Sequence, residues 1–210
     1  MAVATPPDFE QRTAQDLLAY VVERHHPNLA MACSFQKEEA VLLDMLFRIE
    51  PEARVFTIDT GVLFEETRET WREVERRYGV HVEVYDALDP EGRGWTAERC
   101  CSEQKVVALD RALSGLEAWV TGLRREQAAT RAVAPKLQWD AAHGLWKANP
   151  LADWTEEQVW DYVAEHQLPY NPLHDRGYAS IGCAPCTLPG NGREGRWAGS
   201  GKTECGLHVS

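Results

Sequence analysis

The stretch Asn28–Ile49, NLAMACSFQKEEAVLLDMLFRI, decides the fold class. Its first half, NLAMACSF, is a short apolar run of the kind that forms a buried strand. Its second half, EEAVLLDMLFRI, repeats apolar residues at helical spacing and is closed by Pro51. Upstream, Leu17, Leu18, Val21 and Val22 give the segment Thr13–His25 a helical stripe. The pattern then repeats. ARVFTID (53–59) reads as a strand ending at Asp59-Thr60-Gly61, FEETRETWREVERRYG (64–79) as a helix, and VHVEVYD (80–86) alternates like a strand. A helix from near Cys100 to Leu113 follows, and EAWVTGL (117–123) is the next apolar strand. Strands alternating with helices predict a doubly wound, mostly parallel α/β sheet. Ligands on such a sheet sit beyond the carboxyl ends of the strands, so the loops after Cys33, Asp59 and Gly122 are expected on one rim.

After Pro135 the character changes. LQWD (137–140) and LWKANP (145–150) look like a short ribbon, and Thr155–His166 reads as a helix opened by a capping box of Thr155 and Gln158. Residues 1–168 are therefore read as the α/β nucleotide-binding part. Residues 169–210, rich in Pro and Gly and without hydrophobic period, are read as a loop and C-terminal tail of the same domain. A structureless stretch of that length needs something to hold it.

The 210 residues have ordinary globular composition, with 44% hydrophobic and 26% charged residues. No run approaches the roughly 18 unbroken apolar residues of a membrane span, and residues 1–10 carry neither a basic start nor an apolar core. A soluble, cytoplasmic protein is expected, with no membrane partner. A net charge of −11 argues against a nucleic-acid partner, because phosphate neutralisation dominates that binding. An anionic substrate would then need a local basic pocket.

The tail motif GSGKT (199–203) looks like the end of a phosphate-binding P-loop. The required earlier Gly falls at Arg196, with Gly195 one place too early, and only seven residues follow Thr203. The match is read as accidental, which leaves Cys205 to explain. Among the six cysteines, Cys183 and Cys186 form a C-x-x-C pair and Cys100 and Cys101 are adjacent. In a reduced compartment four such thiols suit a metal centre, either zinc or iron–sulfur. Neighbouring thiols crowd one zinc ion, whereas separate irons of a cubane each take one. Cys33 ends an apolar strand and reads as packing. Cys205 lies among polar residues near His208, where an exposed thiol points to chemistry.

At this level the residues resemble the assimilatory sulfonucleotide reductases, in particular the bacterial-type adenosine 5′-phosphosulfate (APS) reductases. Cys100-Cys101-Ser-Glu-Gln-Lys105 resembles that family's C-C-x-x-x-K, and DRGYASIGCAPCT (175–187), REGRW (193–197) and KTECGLH (202–208) resemble its later motifs. The resemblance implies a fold like that of the ATP pyrophosphatases and adenine-nucleotide alpha hydrolases. It also implies a [4Fe-4S] cluster on Cys100, Cys101, Cys183 and Cys186, and Cys205 as nucleophile. The implied activity is reduction of APS to sulfite and AMP in sulfate assimilation. The reaction would pass through an S-sulfocysteine resolved by thioredoxin or a similar dithiol.

Where ATP-cleaving relatives of that fold carry a glycine-rich phosphate loop, this chain reads Ser34-Phe35-Gln36-Lys37-Glu38-Glu39. Ser34, Phe35, Asp59, Thr60, Gly61, Lys105, Arg124, Arg125, Arg193, Arg196 and His208 are the expected substrate-binding residues, the arginines for their paired donors to phosphate and sulfate. A reductase of 3′-phosphoadenosine 5′-phosphosulfate (PAPS), or of both nucleotides, is the alternative within the family. A non-catalytic protein held by a four-cysteine zinc site is the alternative outside it. Assembly into a homo-oligomer is left open.

Overall fold

A computed structural model describes residues 7–87 and 103–197. The elements in chain order are α1 (Ala14–His25), β1 (Leu29–Ala32), α2 (Lys37–Ile49), β2 (Arg54–Asp59), α3 (Glu65–Tyr78), β3 (Glu83–Asp86), α4 (Glu103–Leu113), β4 (Ala118–Val120), β5 (Leu137–Asp140), β6 (Leu145–Ala148) and α5 (Glu156–Glu165). The strands form one six-stranded sheet in the order β3-β2-β1-β4-β6-β5. All neighbours pair in parallel except β5 and β6. The expected doubly wound α/β fold is the one observed. The ribbon predicted after Pro135 is not separate: β6 pairs with β4 and extends the main sheet, so β5 is its antiparallel edge.

The inner strands β1, β2, β4 and β6 are mostly buried, and their alternate residues feed different cores, whereas the edge strands β3 and β5 are partly exposed. Leu29 and Met31 of β1, Val55 of β2, and Ala118 and Val120 of β4 join Leu17, Leu18 and Val21 of α1 and the apolar residues of α2. Ala30, Phe56 and Trp119, one residue out of phase, join Leu109, Ala112 and Leu113 of α4 on the other face. A one-residue slip in any strand would exchange the two sets. Helix α2 lies between α1 and α5 and is buried from Lys37 to Phe47. Capping boxes open α1, where Thr13 and Asp16 bond each other's backbone, and α5, where Thr155 and Gln158 do the same as predicted.

The chain runs outward through β1, β2 and β3, then returns to the other side of β1 as β4. The carboxyl ends of β1 and β4 therefore diverge into loops on opposite sides of a switch point, which opens a crevice there.

Candidate functional site

That crevice forms a cavity of about 190 Å³ at the carboxyl ends of β1 and β4. One wall is the β1–α2 turn, Ser34 to Glu39. The facing wall is Gly122 to Arg124 after β4, with Arg131 beyond it. Lys105 of α4 enters from the third side, and Ala179–Cys183 with Arg193 and Arg196 close the fourth.

The β1–α2 turn is tight. Phe35 adopts φ 59°, an uncommon conformation for a residue with a Cβ, and its buried ring stacks on Trp71 at 5.4 Å. With Phe35 folded inward, Ser34 stays exposed at the crevice and donates from Oγ to Glu39 Oε2 at 3.0 Å, which also accepts from the Gln36 amide at 3.1 Å. Lys37, Glu38 and Glu39 are all buried. Burial alone would raise the Glu38 carboxyl, but Lys37 and Arg124 hold it below its ordinary value, and Arg124 donates to Glu38 Oε1 at 3.0 Å. Burial and the neighbouring Glu38 charge push Glu39 up to about 7. Of this pair, Glu38 carries the negative charge and Glu39 retains a proton near neutrality. Glu39 leans on the opposite wall: a Cβ at Gly122 would lie 2.5 Å from Glu39 Oε1 and 3.1 Å from Glu38 Cβ. Only glycine lets the two walls approach so closely there.

The basic residues expected to bind anions separate into two kinds. Arg124 lines the crevice, but its guanidinium is engaged by Glu38 and Glu126 and donates to the Trp154 carbonyl. Arg125 turns away to pair with Glu10 and donate to the Ala134 carbonyl. Lys105, Arg193 and Arg196 do face the crevice. Arg196 is buried, donates to Ile181 O at 3.0 Å and Ser180 Oγ at 3.3 Å, and its Nε has no partner among the described residues. A buried guanidinium nitrogen left so is costly unless a ligand satisfies it. Arg196 reaches this place because Gly182 lacks a side chain: a Cβ would lie 2.5 Å from the guanidinium carbon.

Asp59 accepts from the Gly61 amide at 2.8 Å and pairs with Arg68 at 3.4 Å, outside the crevice lining. Thr60 lines the crevice, and its Oγ1 lies 3.2 Å from Cys183 Sγ. The C-x-x-C pair occupies a 3₁₀ turn, Ala184–Cys186, with Cys183 buried. The turn is pinned to the β2–α3 loop by Ala184 N donating to Val62 O at 2.8 Å. Cys33 lies at the base of the crevice, and burial with the nearby Glu39 pushes its thiol well above the ordinary range. Cys100, Cys101, Cys205, His208 and the GSGKT motif lie outside the described residues.

Sequence reasoning did not single out Gln36, Lys37, Glu38, Glu39 or Arg131 as crevice residues. A Lys-Glu-Glu run at a helix start ordinarily marks a solvated first turn. The signals were its place directly after the strand that ends at the rim and its match to the phosphate-loop position of ATP-cleaving relatives.

Residues 28–189 match the family described as the phosphoadenosine phosphosulfate reductase domain. The chain is 40% identical, over 98% of its length and 94% of the relative's, to an adenosine 5′-phosphosulfate reductase of Geobacillus thermodenitrificans. It is 43% identical to the enzyme of that name from Allochromatium vinosum, over 94% of this chain and 85% of the relative. A phosphoadenosine 5′-phosphosulfate reductase of Gloeobacter violaceus is 40% identical, over 96% and 90%. In structure, a phosphoadenylyl-sulfate reductase of Candida auris, solved as a phosphate complex, superposes with a TM-score of 0.70 at 29% identity over 85% of this chain and 91% of that one.

Proposed function

Because the chain belongs to the phosphoadenosine phosphosulfate reductase family, we propose that its crevice binds adenosine 5′-phosphosulfate and that the protein reduces it to sulfite and AMP. The observation that carries this reading is the convergence of Lys105, Arg193 and Arg196 on the switch-point crevice of a strongly acidic chain, beside the C-x-x-C turn. A phosphosulfate is a bidentate anion of the size guanidinium groups grip.

In the proposed reaction the Cys205 thiolate attacks the sulfonyl sulfur. An S–S bond forms, the S–O bond to phosphate breaks, and AMP departs with the electron pair. A dithiol such as thioredoxin then attacks the Cys205 sulfur, sulfite leaves, and closure of the dithiol to a disulfide returns Cys205 as thiolate. The dithiol supplies both electrons. Lys105, Arg193 and Arg196 offset repulsion between thiolate and substrate in the first step and stabilise charge growing on the leaving phosphate. Arg124, neutralised by its carboxylates, keeps the crevice wall in place.

The donor chemistry fits an iron–sulfur cluster: two thiols three positions apart on a tight turn, one buried against Thr60. Cys183 and Cys186 would hold it together with Cys100 and Cys101. When bound, it would anchor the C-terminal segment and add its electrostatic field to that of Lys105. The two named relatives above that share the APS-reductase activity support APS over PAPS, and the relative from Gloeobacter violaceus keeps PAPS as the second reading. The test is sulfite release from each nucleotide with thioredoxin supplied. Faster release from APS is expected, and equal or faster use of PAPS would overturn the substrate assignment.

A further inference from the structure

The β1–α2 turn carries long polar side chains whose ends leave the helix altogether. The Gln36 side-chain carbonyl accepts from Ile181 N at 2.7 Å while its Nε2 donates to Ser34 Oγ at 2.9 Å. The Lys37 ammonium donates to Ala179 O at 3.0 Å, pairs with Glu156 at 3.1 Å and lies 5.6 Å above the Trp160 ring. Lys37 is 1% exposed. An ammonium is taken out of water at high cost unless it is fully partnered, so its burial here commits it to this contact. Two successive residues thus grip alternate backbone groups of one short segment, Ala179 to Ile181, which has no strand neighbour in the main sheet. From its other side the same segment holds Arg196, through Ile181 O and Ser180 Oγ. Two residues further on is Cys183.

We infer that Gln36 and Lys37 are positioning residues: they dock segment 179–182 on the crevice rim, and so set both the guanidinium of Arg196 and the start of the C-x-x-C turn. The C-x-x-C turn has anchors of its own: Ala184 N donates to Val62 O, Trp197 N donates to Cys186 O, and Thr60 Oγ1 lies against Cys183 Sγ. Loss of the Gln36 and Lys37 contacts leaves these in place and loosens segment 179–182 against the rim. The consequence for catalysis rests on the proposed function; the docking itself does not.

The experiment uses the full-length protein, purified without oxygen. Gln36→Leu removes the acceptor for Ile181 N, and Lys37→Met removes the donor to Ala179 O at similar length, with Glu156 still 3.8 Å from Arg124. Gln36→Glu keeps an acceptor oxygen. Hydrogen exchange is followed by mass spectrometry, peptide by peptide, and the KM for APS is measured in parallel. For Gln36→Leu and Lys37→Met, peptides covering 179–186 should exchange roughly five- to tenfold faster, the effect of one lost hydrogen bond. Peptides of β1, β2 and β4 should keep their wild-type rates, and KM should rise by a similar factor. Gln36→Glu should retain the wild-type exchange in 179–186. Acceleration spread equally over the sheet, or no local change, would overturn the inference. The local pattern in a protein that released no sulfite from APS would support the docking and overturn the functional reading instead.

Discussion

Glu39 is buried between Cys33, Ser34, Glu38 and the β4 loop, and its proton has a measurable consequence. Its carboxyl titrates near 7 in the folded chain against 4.5 as an ordinary glutamate. Between those values the folded state holds a proton that the unfolded state has lost. The stability from this group is therefore fully present below about pH 4.5 and is lost as pH rises through about 7. Glu39→Gln keeps an acceptor for Ser34 and the Gln36 amide but has no proton to lose. Relative to wild type, its unfolding free energy should rise between pH 4.5 and 8, by up to roughly 3 kcal/mol. Urea titrations at both ends of that window measure it, and a difference independent of pH would contradict the assignment. Arg124 gives the complementary case. Arg124→Met leaves Glu38 buried without its guanidinium and should cost about 3–5 kcal/mol. A loss of nucleotide affinity with unchanged stability would instead make Arg124 a direct ligand of phosphate.

At the scale of elements, the strands and helices were legible because burial and period coincide in them. β1, β2 and β4 are apolar runs flanked by polar turns, and α5 begins at a capping box spelled out in the sequence. The buried first turn of α2 was not legible. Its charges are paid for by partners distant in sequence: Lys37 by Ala179 and Glu156, Glu38 by Arg124. Local pattern holds no record of such pairs. The same holds for Arg125, whose sequence neighbour Arg124 lines the crevice while it points to Glu10. The spacing marked Cys183 and Cys186 as a pair without saying what they hold, and the pair carries its own prediction. Cys183→Ser or Cys186→Ser should abolish bound iron, whereas Cys33→Ser, at the crevice base, should retain the roughly four irons per chain of a [4Fe-4S] cluster. Iron assay and visible absorption of anaerobic protein check this. Stoichiometric zinc with no iron in the wild type would favour the zinc-site alternative.

For the whole molecule, a mostly parallel sheet with one switch point brings Lys105, Arg193 and Arg196 of an acidic chain to one crevice among the described residues, against its overall charge. On the proposed function, substrate binding would be driven by this local field, with little contribution from long-range attraction. The central claim is that this crevice presents the sulfonyl group of its nucleotide to Cys205. Mixing the anaerobic protein with APS in the absence of any dithiol, then weighing the intact chain and its peptides, tests that claim most directly. The wild type should gain one sulfonate at Cys205 and release one equivalent of AMP, and Cys205→Ser should bind nucleotide, keep its iron and gain no mass. Sulfonate on Cys33, or sustained sulfite release by Cys205→Ser, would contradict it.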